Sequence, residues 1–351
     1  MCDYIYQSGN KCLEPPIAFS SRCILHSDIS DIHKLDYPIV KEFKDQKIVE
    51  KIQNNDFDFE GAKIFSADFS NVQFLNANFR NVTVSGEILF KSAVFNGDSF
   101  FDGAKFKDHV NFTKAHFFGY TGFNTVIFTK YAGFGEAIFE DTVSFKGSKF
   151  FGQTSFENST FQKNTEFEES HFKGPVFFDR ARFYGEVIFY TVIFDTILSV
   201  EDAYFRKPAV QEIVCRHARN NCEKRSDKHE ADNYYYFEME GKRKRKNLFR
   251  KTIELPLQYV FFYGVFPLYF FIVWINFVLF FAFIYWIFEG VSASPSLFSS
   301  VYFSIVTAMT PGYGGINPKP GIFQGIASIE AIIGTFMWAA FIAIFVRKYA
   351  R

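Results

Sequence analysis

The sequence predicts a multidomain membrane protein: a polar coil of very short β-strands, a helical linker, and an α-helical module that crosses a bilayer twice. Three observations predict it. Phe occurs 51 times in 351 residues and falls in a fixed register, which marks a repeat. Charge is unevenly divided, with 69 of the 76 charged side chains in residues 1–251 and only Glu254, Glu289, Lys319, Glu330, Arg347, Lys348 and Arg351 after them. Leu255 to Phe288 is a run of 34 residues without a charge, which reads as membrane-embedded. Lys plus Arg equals Asp plus Glu at 38 each, so overall charge argues against a polyanion-binding protein. The domains expected are residues 1–50, 57–205, 207–251 and 252–351.

The repeat begins with a period of five: Phe59, Ile64, Phe69, Phe74 and Phe79, with Ala62, Ala67, Val72 and Ala77 two places before the last four. The period then becomes eleven. One series runs from Phe95 through Phe106 and Phe117 to Phe205, and a second from Phe90 through Phe101 and Phe112 to Phe189, ending at Val200. A large apolar residue with a small or β-branched one two places earlier suits a short strand, because alternate side chains face the same way. Steps of five and six alternate, so a four-sided coil takes about 22 residues per turn. The segment is expected to make about seven turns, a rod of roughly 33 Å. This pattern resembles the pentapeptide-repeat family. The resemblance implies a right-handed quadrilateral β-helix, here mostly in an 11-residue variant. Such a fold carries no chemistry by itself, and the solvent-facing positions show no catalytic constellation.

Before the repeat stand Cys2, Cys12, Cys23 and His26. Cys23 and His26 are spaced Cys-x2-His, so one turn can present both to one ion. Three thiolates and an imidazole form a closed, structural Zn²⁺ site with no open position for catalysis, and a segment with little core needs such a staple. Ordinary reduced cysteines are the alternative reading. Cys215, His217, Cys222 and His229 form a weaker second set, in a stretch that reads as helical.

After Pro208 the Phe register stops. Ala209–Asn221 and Asp227–Lys246 read as two helices, a hairpin suited to cap the strand edges of a solenoid. Lys242, Arg243, Lys244, Arg245, Lys246, Arg250 and Lys251 follow with no acid among them. Directly before a membrane span, they read as a collar for an anionic lipid surface rather than a nucleic-acid site.

Pro256, Gly264 and Pro267 divide the long apolar run into an interfacial helix at 255–264 and a span at 267–288; the second span is 321–346. Basic residues flank the outer ends of the pair, and Met1–Asn10 lack a secretory signal. Both termini are therefore expected in the cytoplasm of a multi-pass cell-membrane protein. Between the spans, Ser294 as N-cap and Pro295 at the first helical position open a short helix. It ends at Thr310-Pro311-Gly312-Tyr313-Gly314. Irregular backbone at membrane depth is tolerated where it lines a pore, and its carbonyls can replace the hydration shell of an ion.

Two spans around a re-entrant helix and Thr-x-x-Thr-x-Gly-Tyr-Gly at Thr307–Gly314 resemble the pore module of the potassium channel family. The resemblance covers about residues 267–351. It implies a homotetramer around one axis, K⁺ as the permeant ion, carbonyls of Thr310, Pro311, Gly312 and Tyr313 on the ion, and a hinge at Gly334 in the inner helix, for which a packing glycine is the alternative. Two departures stand out. Pro311 replaces the usual aliphatic residue of the filter and disfavours right-handed α geometry at Thr310. Gly315 and Val306 stand where the family has a carboxylate and its pairing position, so a non-selective or divalent cation pore is an alternative. Glu330 is costly in a membrane unless it faces protein or water. It is expected either to ring a cavity or to brace the short helix. The function expected is passive cation conduction, with the solenoid as a cytoplasmic sensor or docking domain for an unknown partner. A membrane-anchored interaction scaffold with a non-conducting pore is the rival, and no enzyme is expected.

Overall fold

The computed structural model describes residues 1–17, 20–27, 37–292, 296–309 and 315–349. They form two compact units, Met1–Lys242 and Arg243–Arg351, each considered in turn.

In the first unit, Lys63–Ile64 to Tyr204–Phe205 comprise 27 two-residue strands among the described residues. They stack in four parallel sheets of seven, seven, seven and six strands, which is six full turns and three sides of a seventh. The coil is thus a four-sided β-solenoid. Its first turn advances by 20 residues, pairing Lys63 with Thr83, and later turns by 22, as Thr83 pairs with Lys105. The change from a five-residue to an eleven-residue period is therefore the widening of the turn.

The Phe side chains of the two series point inward and pile up along the axis. Phe90 and Phe112 rings lie 4.7 Å apart at 2°, Phe95 and Phe117 4.4 Å apart at 7°, while the neighbouring pair within a turn, Phe101 and Phe112, meets edge-to-face at 84°. Both geometries suit the ring quadrupole. From Asn81 to Asp202 every eleventh residue has φ between +53° and +70°. Most sit in a turn closed by the N–H three places after a Phe, as from Ala104 to the Phe101 carbonyl at 3.0 Å. Only Gly103 and Gly147 are glycines in that register; Lys114, Glu136 and Arg180 accept the same conformation.

Both ends of the coil are covered. At the start, helix α1 (Tyr37–Gln53) buries Ile48 and the whole of Lys44, whose Nζ donates to the carbonyls of Ser27 and Lys63 at 2.8 and 2.7 Å. No apolar periodicity announced this helix. At the far end, α2 (Pro208–Lys224) and α3 (Lys228–Lys244) form the hairpin. Asn221 Nδ2 donates to the Thr196 carbonyl and Asn221 Oδ1 accepts from Leu198 N–H, while Tyr234 OH accepts from Val200 N–H. These bonds satisfy strand-edge groups that would otherwise be unpaired. His217 closes the ring stack over Phe189, centroids 5.5 Å apart.

The second unit is helical. In place of one interfacial helix at 255–264 there are α4 (Leu248–Ile253), α5 (Leu255–Tyr259) and a 3₁₀ turn at Phe262–Gly264. Phe262, Tyr263 and Gly264 all have positive φ, so a helix cannot continue through them. Next come α6 (Pro267–Ile287), α7 (Leu297–Met309) and α8 (Ile322–Tyr349). α6 and α8 are long and apolar enough to cross a membrane. They leave Leu268, Ile272, Leu279, Phe283, Ile332 and Phe336 exposed, which lipid tolerates and water does not. This is a membrane protein.

Candidate functional site

α7 packs between α6 and α8. In its first turn Ser296 Oγ accepts from Ser299 N–H at 3.0 Å, as an N-capping side chain does. Ser294, Pro295 and the whole filter segment Thr310, Pro311, Gly312, Tyr313 and Gly314 lie outside the described residues. The arms of the loop are pinned together before and after that segment. Val291 bridges to Pro318, Ser292 N–H donates to the Asn317 carbonyl, and Lys319 N–H to the Gly290 carbonyl, both at 2.8 Å.

Behind α7 sits a three-helix hydrogen-bond network. Glu330 on α8 is fully buried. Its Oε2 accepts from Tyr285 OH on α6 at 2.7 Å, and its Oε1 is bonded to Ser304 Oγ on α7. Ser304 Oγ also lies 2.8 Å from the Val278 carbonyl. Nothing in the linear sequence paired Tyr285 or Ser304 with Glu330. One turn beyond Glu330, Gly334 lies against α7, where an added Cβ would come within 2.7 Å of Ala308 Cα. α8 runs unbroken through it. Gly315 has φ +84°, so the position where the family carries an acid has a backbone that side-chain-bearing residues rarely adopt. Ser300 Oγ and Thr307 Oγ1 on α7 are buried without a hydrogen-bond partner among the described residues.

The basic segment ends α3 and enters α4. Lys246 pairs with Glu254, and Asn247 caps α4 through Arg250 N–H. α4 carries Arg250 and Lys251 beside Leu248 and Phe249, which are 83% and 75% exposed.

At the start of the first unit, Cys2, Cys12, Cys23 and His26 come together with all ligand atoms within 4.8 Å of one another, every one buried. Cys23 Sγ lies 3.1 Å and Cys2 Sγ 3.6 Å from His26 Nδ1; Cys12 and Cys23 Sγ are 3.9 Å apart, too far for a disulfide. Zn–S and Zn–N bonds of about 2.3 and 2.0 Å give tetrahedral edges of roughly 3.5–3.8 Å, so the donor set fits that ion. His26 Nε2 is 2.9 Å from the Glu60 carbonyl. That bond takes the ring proton and leaves Nδ1 as the ligand nitrogen. Burial holds His26 below its ordinary pKa, which favours the ligating form. Lys63 N–H donates to the Leu25 carbonyl at 2.7 Å, so the same loop pairs with the first strand. Cys215, His217, Cys222 and His229 do not form such a cluster among the described residues: Cys215 and Cys222 are buried on α2, and the His217 ring packs on Phe.

Comparison with known families places both parts. The family described as ion channel matches residues 269–351, and the pentapeptide-repeat family matches residues 79–127, 123–171 and 156–203. The chain therefore joins a pentapeptide-repeat solenoid to a two-span, potassium-channel-like module. No curated protein and no solved structure matches it.

Proposed function

We propose that the protein is a homotetrameric cation channel, conducting K⁺ through carbonyls of Thr310, Pro311, Gly312 and Tyr313 and gated by its N-terminal solenoid. The observation that carries this reading is the packing of α7 between two membrane-length helices, directly before Thr-x-Gly-Tyr-Gly, in the segment that matches the ion-channel family. One chain contributes one such loop, and a pore lined by carbonyls needs several around an axis. α7 leaves Phe298, Tyr302 and Ile305 exposed, apolar surface for neighbouring copies. Glu330 braces α7 from behind, and Gly334 serves close packing against it. The basic collar, with Leu248 and Phe249 of α4, lies on an anionic cytoplasmic lipid surface, and in this reading both termini are on that side.

Two contacts within the second unit support coupling from linker to gate. Lys246 ties the collar to the start of α5 through Glu254, and Lys348 at the end of α8 donates to the Val265 carbonyl at 2.9 Å. A pull on the linker thus reaches the inner helix. In the first unit, Cys2, Cys12, Cys23 and His26 hold a structural zinc ion that fastens the coil's leading edge.

A non-selective pore is the second reading, favoured by Pro311, whose missing N–H and ring constrain the filter backbone. Purified protein in a planar bilayer, with K⁺ on one side and Na⁺ on the other, separates the two. A reversal potential near the K⁺ limit supports the first. A value near zero with clear current supports the second, and Pro311→Val then moves it toward the K⁺ limit. A protein that is monomeric in detergent overturns both. Deleting residues 1–205 tests gating, and an unchanged open probability refutes a sensor role.

A further inference from the structure

We infer that Glu330 is held as the neutral acid and donates its carboxyl proton to Ser304, a proton-carrying brace that fixes the roll of α7. The inference rests on the reading of this module as a pore, and follows from counting protons and charges.

Five oxygens meet in three contacts: Tyr285 OH with Glu330 Oε2, Glu330 Oε1 with Ser304 Oγ, and Ser304 Oγ with the Val278 carbonyl. A carboxylate and a carbonyl only accept, and a serine hydroxyl has one proton. Were Glu330 ionised, the Ser304 proton would have to serve both Glu330 Oε1 and the Val278 carbonyl, leaving one oxygen facing another with no hydrogen between them. With the proton on Oε1 each contact has its own. Glu330 donates to Ser304, Ser304 donates to Val278, and Tyr285 donates to Glu330.

The charges agree. α6 and α7 contain no acid, lysine, arginine or histidine; their ionisable groups are the phenols of Tyr269, Tyr285 and Tyr302. On α8 the other charged residues are Arg347 and Lys348, about 25 Å away along the helix. Glu289 and Lys319, in the loop, face each other at 3.7 Å. A neighbouring copy brings the same three helices, whose cations are again Arg347 and Lys348 at the end of α8. A buried carboxylate here would be an unpaired charge, the costly case, whereas a neutral acid is a satisfied hydrogen-bonding group. Ser304 lies less than a turn before Thr307, so fixing it sets the direction in which α7 runs to its end at Met309. Val306 on α7 and Gly315 after the filter offer no carboxylate for that purpose, and the brace comes from the inner helix instead.

The test uses the full-length protein. Glu330→Gln keeps every bond, since its amide N–H donates to Ser304 and its carbonyl accepts from Tyr285. Infrared difference spectra of wild type against this variant should lose a protonated-carboxyl band, with melting temperature and liposome ion flux close to wild type. Glu330→Ala, which takes an acceptor from Tyr285 OH and a donor from Ser304 Oγ, should lose about tenfold or more in flux. Tyr285→Phe, which removes a bond to the carboxyl, should shift the same infrared band without abolishing it. Loss of a carboxylate band in Glu330→Gln, or a Tyr285→Phe spectrum with no change in the protonated-carboxyl region, overturns the inference. So does a Glu330→Gln protein as impaired as Glu330→Ala. A protein that shows the protonated band but no flux refutes the pore reading and leaves the brace standing.

Discussion

Removing one ring from the middle of the Phe stack should cost several times more than removing one from its end. Phe123 is fully buried. It stacks on Phe101 and Phe145 at 4.7 and 4.9 Å and meets Phe112 and Phe134 edge-on at 5.4 and 5.5 Å. Phe205, in the last turn, is half-buried and stacks on Phe183 at 5.4 Å. A buried Phe removes about 200 Å² from water; at about 25 cal/mol per Å² that is near 5 kcal/mol, an upper figure that mutational series place at about 3–5. Phe123→Ala should therefore cost about 4 kcal/mol, and Phe205→Ala about 1–2 kcal/mol. Each turn contacts only its neighbours, so the damage should be local. Hydrogen exchange of the full-length protein in detergent, read peptide by peptide, measures it. Residues 101–145 should lose protection in the first variant and 183–205 in the second. All three Trp, at 274, 286 and 338, lie outside the solenoid, so Trp fluorescence should report an unchanged second unit. Equal costs for the two variants, or a loss of protection spread evenly along the coil, would refute the stacking argument.

Further outcomes follow from the same geometry. Elemental analysis should find one zinc per chain; Cys12→Ser should abolish it, and chelation should expose the Lys63 amide to exchange, whereas a metal-free protein with full protection there would remove zinc from the fold. Asn221→Ala leaves Leu198 N–H and the Thr196 carbonyl without partners, so it should cost about 1–3 kcal/mol and fray residues 193–205, while Asn221→Asp, which still accepts from Leu198 N–H, should cost less. Gly334→Ala forces a Cβ against the α7 backbone and should destabilise the second unit by about 1–3 kcal/mol, seen as a lower melting temperature by Trp fluorescence; an unchanged value would free this glycine for a hinge role.

The repeat was legible because it is written twice. Packing demands one large residue per side, and the turn length demands the spacing, so the period follows from Phe90 to Phe205, while the four sides came from the family resemblance. The spans were legible from the absence of charge. The left-handed corners were not legible, because Lys114, Glu136 and Arg180 occupy them as readily as Gly103. Their conformation is imposed by the ladder bonds above and below, a cost that residue type does not display. α1 went unseen for a similar reason: its anchor is the ammonium of Lys44 on two carbonyls rather than an apolar stripe.

By itself the sequence determined the order of parts, the period of the coil, the membrane segments and the four candidate metal ligands. Each of these is a local or periodic property, fixed by which side chains recur and where. Only the tertiary structure decided which groups meet: His26 on the Glu60 carbonyl, Asn221 on the last strands, and Glu330 between Tyr285 and Ser304. These contacts join residues 23 to 45 positions apart, and their geometry comes from how turns stack and helices pack, which no short window of sequence encodes.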